Sequence, residues 1–481
     1  MGNDTDPAAI AVTVVEMARD GRFTEIEALF APRLRAVVSA RTLRTAWAAE
    51  IASIGPVSAI GTPATEPMPD GADGPAGDAA GGPPEGSDAG PAGTSGGSGA
   101  GPAGTSDGGA GRAGLTRVSV PVSGRDGGLT VVMSVDGAGA LNGLRLAPAA
   151  TTSWAPPPYA ARGRFGEHDV TLGTGPLAVP GTLTMPRGRG PHPGVVLLSG
   201  GGPFDRDATS GPNKPLKDLA WGLACRGVAV LRFDKVTCVH GARVSDADGF
   251  TMTEEYVPHA VAAVRLLRTR PSVDAARVFV AGHSMGGKVA PRVAAAEPSV
   301  AGLVIMAGDA EPMHRSAVRV ARHLASPAIG AMTEPDAEAI ARQAAQVEDP
   351  ALSPSTPAAL LPLGLPASYW LDLRAYDPVA AAAALEVPML ILQGGRDYQV
   401  TVEDDLARWK AGLARRADVE FRLYAADDHL FFPGTGPSTP AGYQRAQHVD
   451  PAVVADIAAW LHPAPGRFSR FARFTRFARR G

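Results

Sequence analysis

The pattern Gly-x-Ser-x-Gly, which can present a nucleophilic serine, occurs three times in the chain, around Ser95, Ser106 and Ser284. The first two copies lie in a glycine- and proline-rich stretch that has no strand or helix pattern to hold a strained turn. The third follows an apolar strand pattern and opens a helix pattern at Met285. A serine on such a turn projects its hydroxyl beside a helix N-terminus, which favours developing negative charge. We therefore predict that Ser284 is a nucleophile and that the other two matches are accidental.

A serine nucleophile needs a histidine base and a carboxylate that orients the histidine. His429 follows an apolar predicted strand late in the chain, and Asp397 follows the preceding predicted strand through a Gly-Gly-Arg loop. In a parallel sheet, both positions fall at the same edge as Ser284. We predict His429 as the base and Asp397 as the acid, with Asp309, one strand earlier, as the alternative acid.

Other polar residues in this part of the chain are expected to have different roles. His448 and His462 lie on or near the last predicted helix, where we expect them to be solvated. Asp427 and Asp428 are too close to His429 in sequence to reach the far nitrogen of its ring. We expect these two carboxylates to shape the loop instead.

The negative charge of an acyl-transfer intermediate needs two backbone N–H donors. We expect one from Met285, directly after the nucleophile, and the other from the glycines that follow the predicted strand 194–199. Gly201 is the first choice and Gly202 the second, because Pro203 has no N–H to donate. The alternative is that these glycines serve only a tight turn.

Two phosphate-binding patterns are incomplete in this chain. The run from Gly282 to Lys288 fits a phosphate loop up to its last position, where Val289 replaces the Ser or Thr that holds Mg²⁺. Residues 200–205 lack the third glycine of a dinucleotide fingerprint. The sequence therefore predicts neither nucleotide hydrolysis nor a nucleotide cofactor, and it implies no metal or other cofactor.

The elements that must position these residues alternate from about Phe165 onward. Apolar strands that are each followed by a helix indicate a doubly wound, mostly parallel α/β sheet that is buried on both faces. The predicted strands cover residues 194–199, 228–233, 277–283, 300–307, 388–393 and 419–424. The predicted helices cover residues 215–226, 253–268, 285–296, 402–415 and 451–461.

Residues 1–61 and 115–150 are predicted to form a small α+β domain, split by an insert over 62–114. The domain combines short helix patterns with alternating strands at 116–122, 129–135 and 141–146. The insert contains no Val, Ile, Leu, Phe, Tyr or Trp, so it cannot offset the entropy of ordering its backbone. We expect the insert to be disordered.

Composition excludes several classes of protein. The chain has 481 residues, only two cysteines and a formal net charge of −3, which argue against a disulfide scaffold and against a nucleic-acid coat. No secretory signal or run of 18 apolar residues is visible, so we expect a cytoplasmic protein without a transmembrane span. Residues 466–481 form a tail with six arginines and no acid, a candidate for weak contact with anionic surfaces.

Residues 165–462 resemble the bacterial α/β-hydrolase-fold serine esterases of the dienelactone-hydrolase-like and acyl-CoA-thioesterase-like groups. The resemblance depends on five strings, namely GGPFDRD from Gly201, NKPLKDLA from Asn213, GHSMGG from Gly282, YWLDL from Tyr369 and LQGGRDYQV from Leu392. In that family the elbow serine, the acid after the seventh strand and a late histidine form a triad. The resemblance thus implies the same three roles for Ser284, Asp397 and His429.

The resemblance also implies differences and additions. The family usually continues Arg-Tyr-Asp-Lys-Arg-Gly after the fourth strand, whereas residues 232–235 here read RFDK and run into Val236. We therefore expect an altered loop and pocket wall. Similar hydrolases also carry an N-terminal α+β domain that is cystatin-like in outline, which residues 8–60 with 115–148 resemble.

A long excursion at 309–386 separates two predicted strands. Apolar residues within 337–347 have helical spacing after a start signal at Thr333, which predicts a helical lid over the site within the catalytic domain 151–465. Tyr369 and Trp370 are candidates for substrate contact, although core packing is the preferred interpretation.

Together these features predict hydrolysis of a small-molecule carboxylic ester through an acyl-enzyme. A thioesterase or a serine peptidase would use the same triad, and an inactive hydrolase-fold binding module is the alternative of another class. No specific nucleic acid is expected as a partner. The N-terminal domain is a candidate for homodimer formation or for shaping access to the site.

Overall fold

The computed structural model describes residues 6–31, 34–35, 38–67, 115–125, 127–148, 154–245 and 249–462. Contacts divide the chain into two compact units, the first of which ends at residue 151 of the sequence. Most of the predicted insert, from residue 68 to 114, lies outside the described residues, and so does the arginine-rich tail over 466–481. No helix among the described residues is long and apolar enough to cross a membrane.

Among its described elements, the first unit packs three helices against an antiparallel sheet. Residues of β4 are buried alternately, with Val131 and Met133 pointing into the core, as the alternating pattern predicts. The helices are α1 (Pro7–Arg19), α2 (Phe23–Ala28) and α3 (Ala40–Ile54), and the strands are β1 (Val57–Ile60), β2 (Ala64–Pro67), β3 (Thr116–Gly124), β4 (Gly128–Val135) and β5 (Leu141–Pro148). The strand order is β1-β3-β4-β5, and β2 also pairs with β3.

The strand β2 corrects the expectation that the insert is disordered from residue 62. Ala64–Pro67 runs antiparallel to β3, with Pro67 opposite Thr116 and Ala64 opposite Ser119. Strand pairing satisfies backbone N–H and C=O groups and does not require apolar side chains. A pattern based on apolar residues therefore cannot detect such a strand.

The second unit contains an eight-stranded sheet in the order β13-β12-β11-β10-β8-β9-β7-β6. All neighbours from β9 to β13 are parallel, whereas β6 and β7 are antiparallel at one edge. This confirms the doubly wound, mostly parallel α/β fold. The strands are β6 (Phe165–Leu172), β7 (Val179–Pro186), β8 (His192–Leu198), β9 (Ala229–Phe233), β10 (Val273–His283), β11 (Leu303–Met306), β12 (Met389–Gly394) and β13 (Val419–Tyr424).

Helices cover both faces of this sheet, so successive residues of its central strands enter two different cores. Val195 and Leu197 of β8 join the core on one face, while Val196 and Leu198 join the core on the other. The α-helices of this unit are α4 (Pro215–Ala224), α5 (Val236–Ser245), α6 (Met252–Arg268), α7 (Met285–Ala296), α8 (Met313–Ala325), α9 (Glu334–Glu348), α10 (Ala367–Ala375), α11 (Pro378–Ala383), α12 (Ala407–Gly412) and α13 (Pro451–Leu461).

Local signals account for several helix boundaries. Thr251 caps α6 in a capping box with Glu254, and Thr333 caps α9 by accepting from the Asp336 amide. The helix predicted over 402–415 is split, because Val402–Leu406 forms a π-helical turn before α12. The excursion at 309–386 contains the four helices α8 to α11.

Candidate active site

Ser284 lies on a strained turn between β10 and α7. Its backbone has φ 55° and ψ −122°, and residues other than glycine rarely adopt a positive φ. The Ser284 amide donates to the Met306 carbonyl of the neighbouring strand at 2.9 Å, which anchors the turn. A strained residue that the surrounding structure holds in place is typical of a functional site.

Glycines flank this serine because strand and helix approach closely. A Cβ on Gly282 would lie 2.1 Å from the Gly286 carbonyl oxygen. A Cβ on Gly286 would lie 2.6 Å from the carbonyl oxygens of both Leu198 and Ser199 at the end of β8. Only glycine fits at either position without backbone movement.

His429 and Asp397 lie in direct contact. His429 Nδ1 is 2.7 Å from Asp397 Oδ2, and both side chains are buried. The other carboxylate oxygen, Oδ1, accepts from the amides of Gln399 at 2.8 Å and Val400 at 2.9 Å. Gln393 Nε2 lies 3.3 Å from Oδ2. The carboxylate is thus fixed from two sides, with one oxygen assigned to the loop backbone and the other to the imidazole.

The electrostatics of the two buried histidines in this region differ. Burial by itself lowers the pKa of His429, but the charge and hydrogen bond of Asp397, together with the charges of Asp428 and Asp309, outweigh it and leave the pKa above its ordinary value. Burial lowers the pKa of His283 to about 3, so this ring is neutral at physiological pH. His283 Nε2 lies 2.7 Å from the His429 carbonyl oxygen, and the two rings lie 4.7 Å apart. His283 therefore supports the backbone of His429 without adding a charge beside it.

Ser284 and His429 reach the same edge of the sheet but do not share a hydrogen bond among the described contacts. The link between them runs through His283, which precedes the serine and contacts His429. Catalytic hydrogen bonds are often long in free enzymes and tighten only with substrate bound.

The glycine loop after β8 lies against the serine turn. A Cβ on Gly200 would lie 3.2 Å from Ser284 Cβ, and one on Gly201 would lie 3.4 Å from Met285 Cε. Gly202 has φ +103°, which requires glycine. Within the described part of the chain, the amides of Gly201 and Met285 donate to no protein acceptor. Both predicted donors thus have free N–H groups beside Ser284.

The alternative acid is engaged elsewhere. Asp309 Oδ2 forms a buried ion pair with Lys288 Nζ at 2.6 Å, and it makes no hydrogen bond to His429. Asp428 accepts from the amides of Leu430 and Phe432, which agrees with the expected role of shaping the loop.

Two expectations about side chains outside the triad have different outcomes. The prediction that His448 is solvated is met only in part, because the side chain is 29% exposed while its Nδ1 lies 3.0 Å from the fully buried carboxylate of Asp218, a partner 230 positions away. His462 is exposed, as expected. Tyr369 and Trp370 are both buried, and the indole N–H of Trp370 donates to the Pro362 carbonyl at 3.2 Å. Their buried packing agrees with the preferred interpretation.

Gln393 contacts Asp397, and His283 contacts His429. Neither Gln393 nor His283 is predicted as a site residue from the sequence. Both lie inside strings that were noticed for other residues, since His283 precedes Ser284 and Gln393 precedes the glycine loop of Asp397. Polar residues at the buried ends of two central strands are the signal that could have identified them.

The chain is similar in sequence to known hydrolases. A family profile described as serine aminopeptidase, S33, matches residues 214–432. A curated esterase of Thermotoga maritima, EstD, is 36% identical over 336 residues, which cover 70% of this chain and 77% of that protein.

Two esterases are among the solved structures to which the chain is similar. The hyperthermophilic esterase of Pyrobaculum calidifontis is 18% identical, with a TM-score of 0.40 over 62% of this chain and 85% of that one. The esterase domain of a Rhodothermus marinus protein is 18% identical, with a TM-score of 0.37 over 61% of this chain and 97% of that one.

Proposed function

The chain belongs to the α/β-hydrolase-fold family of serine esterases, and from that premise we propose that it cleaves carboxylic esters through an acyl-enzyme on Ser284. The observation that carries the proposal is the 2.7 Å contact between His429 and Asp397, at the sheet edge where Ser284 occupies its strained turn. The curated relative that supports the choice of bond is itself named an esterase.

In the acylation step, Asp397 holds the Nδ1–H of His429, so that Nε2 is free to accept a proton. Nε2 takes the proton of the Ser284 hydroxyl while Oγ attacks the ester carbonyl carbon. The carbonyl oxygen becomes an oxyanion that accepts from the amides of Met285 and Gly201. When the C–O bond breaks, His429 delivers its proton to the departing alcohol.

In the deacylation step, water takes the place of the alcohol. His429 removes a proton from this water, whose oxygen attacks the acyl carbon and forms a second oxyanion between the same donors. Collapse of this intermediate returns the proton to Ser284 and releases the carboxylic acid. The raised pKa of His429 suits the transient imidazolium that both steps require.

Helix α8 is positioned to restrict access to the acid. Arg319 donates to the carbonyls of Tyr398 and Gln399, directly after Asp397, at 3.0 Å each. The ring of His323 stacks on Tyr398 with centroids 4.9 Å apart. These contacts support a lid function for the excursion at 309–386, with a small-molecule ester as the substrate beneath it.

A thioester or a peptide bond is the alternative substrate class for the same triad. The peptide alternative has one specific observation in its favour, the match of residues 214–432 to the serine aminopeptidase profile. Parallel assays with p-nitrophenyl butyrate, butyryl-CoA and an aminoacyl p-nitroanilide separate the three classes. We expect the ester to have the highest kcat/KM, and a higher value for the anilide would contradict the ester assignment.

A fluorophosphonate probe tests the nucleophile directly. We expect the wild-type protein to be labelled and Ser284→Ala to lose all labelling. The control Ser299→Ala, which removes a half-buried hydroxyl bonded to Glu297, should be labelled fully. Absence of labelling in the wild type would favour an inactive binding module instead.

A further inference from the structure

A buried polar network lies behind the glycine loop, on the carbonyl side of the Gly200–Gly201 peptide. Tyr256 donates its hydroxyl to the Gly200 carbonyl oxygen at 2.6 Å, and Lys235 Nζ donates to the same oxygen at 3.0 Å. Both side chains are 2% exposed. One backbone oxygen thus accepts from a phenol and from an ammonium group in the protein interior.

Every donor of the buried ammonium group is used. Besides Gly200, Lys235 Nζ donates to the Tyr256 hydroxyl oxygen at 2.8 Å and to Glu255 Oε1 at 2.8 Å. Glu255 is buried as well and accepts from Thr237 Oγ1 at 2.8 Å. Removing two charges from water is costly unless geometry and hydrogen bonds compensate for it. Because burying these charges is costly, we expect the network around the Gly200 carbonyl oxygen to have a role other than packing.

The peptide geometry gives such a reason. The Gly200–Gly201 peptide is trans, so the carbonyl of Gly200 and the N–H of Gly201 point to opposite sides of the peptide. Fixing the carbonyl on the side of Lys235 and Tyr256 therefore fixes the N–H on the other side, where it donates to no described protein group. Hydrogen bonds to the carbonyl also polarise the amide and make its N–H a stronger donor.

The same network reaches the second donor residue. Tyr369 lies with its hydroxyl 2.5 Å from Glu255 Oε2 and 3.3 Å from the sulfur of Met285. Met285 in turn contacts the loop, since a Cβ on Gly201 would lie 3.4 Å from its Cε. The network thus touches the residues that hold both amides.

We propose that Lys235 and Tyr256 are positioning residues, which aim and polarise the Gly201 N–H toward the oxyanion of the reaction. This role rests on the proposed function, because it needs an oxyanion beside Ser284. It also assigns a purpose to Lys235, the last residue of the RFDK string, after which the chain departs from the usual family sequence.

The sharpest test is Tyr256→Phe, which keeps the ring and removes the hydroxyl that donates to the Gly200 carbonyl and accepts from Lys235. The matched control is Tyr159→Phe, since the Tyr159 hydroxyl also donates to a backbone carbonyl, that of Val449 at 2.9 Å. With p-nitrophenyl butyrate, we expect Tyr256→Phe to lower kcat about 10- to 100-fold with KM within about twofold, because an oxyanion donor acts mainly in the transition state. Tyr159→Phe should keep the wild-type kcat.

A second readout separates positioning from general damage to the fold. Sulfur is a weak hydrogen-bond acceptor, so a thionoester gains less from an oxyanion donor than the matching ester does. We expect the ratio of kcat/KM for ester over thionoester to fall at least about fivefold in Tyr256→Phe. This ratio is measured on one preparation and does not depend on the fraction of folded protein. The double variant Lys235→Met/Glu255→Gln, which removes both buried charges together, should lower the ratio further.

The outcomes distinguish this inference from the proposed function. If the wild type hydrolyses the ester and Ser284→Ala does not, yet Tyr256→Phe matches Tyr159→Phe in kcat and in the ester-to-thionoester ratio, the positioning role is wrong and the proposed function stands. If Ser284→Ala retains wild-type activity, the proposed function itself fails. A lower kcat in Tyr256→Phe with an unchanged ratio would show that the network serves folding alone.

Discussion

Replacing Asp397 by Asn tests the acid of the triad with almost no change in shape. In the wild type, one carboxylate oxygen accepts from the amides of Gln399 and Val400, while the other faces His429 Nδ1 at 2.7 Å. Asparagine can keep the two loop bonds only with its oxygen in the first position. Its NH₂ group then faces His429 and forces Nδ1 to become an acceptor.

The expected loss of activity follows from that tautomer of His429. If Nδ1 accepts, the ring proton moves to Nε2, which can no longer remove the proton of Ser284. The same tautomer fault lowers kcat by about 10⁴ in serine proteases with a triad of this geometry. At about 1.36 kcal/mol per factor of ten, this corresponds to about 5.4 kcal/mol of lost transition-state stabilisation. We expect Asp397→Asn to lower kcat by about 10⁴ while its thermal unfolding midpoint stays close to that of the wild type.

The assay compares two acids under one protocol. Initial rates with p-nitrophenyl butyrate are measured for Asp397→Asn and for Asp309→Asn, together with circular dichroism to give the folded fraction. Asp309→Asn leaves Lys288 without its buried partner, so it should lose stability by about 3–5 kcal/mol and yet keep kcat per folded molecule within about fivefold. The reasoning is refuted if Asp397→Asn retains more than a tenth of the wild-type kcat, or if Asp309→Asn is the variant that loses it.

Two further outcomes follow from the electrostatics and the packing of the site. Because Asp397 raises the pKa of His429 and the base must be neutral to act, kcat/KM should rise with pH through an inflection above the ordinary histidine value of 6.5, and an inflection below 6 would contradict this assignment. Gly286→Ala should lower the free energy of unfolding by about 2 kcal/mol or more, because its Cβ would meet two carbonyl oxygens. The control Gly163→Ala, whose Cβ would have no atom within 4 Å, should unfold like the wild type. Equal thermal unfolding midpoints for the two variants would count against a close approach of strand and helix.

The sequence predicts best those strands and helices that are buried on both faces, because burial there requires apolar or small side chains. The central strands and the helix α7 lie close to their predicted positions because most residues there are apolar or small and pack in the interior. The edge strand β6 was not predicted, since Glu167, His168 and Asp169 are exposed and break any apolar run. Likewise, β2 depends on backbone pairing with a strand that begins 49 positions later.

In the candidate site, the ends of the predicted strands were sufficient to propose Asp397 as the acid and His429 as the base. These two side chains are in contact in the structure. The strand ends favoured Asp397 over Asp309, but they gave no sign of the ion pair to Lys288, a residue on a helix, that occupies the Asp309 carboxylate. The buried partnership of His448 with Asp218 was missed for a similar reason, since the partner precedes it by 230 positions. Pairings between distant side chains leave no local pattern in a sequence.

The pairing of β2 with β3 bears on how this protein can be altered. Pro67 and Thr116 lie opposite each other in adjacent strands, so the chain leaves the sheet and returns to it at neighbouring positions, about 5 Å apart. The number of residues between β2 and β3 therefore has little effect on the stability of the sheet, since the entropic cost of closing a loop grows only slowly with its length. Residues 68–115 are accordingly a natural place to graft an affinity tag, a reporter domain or a short designed turn.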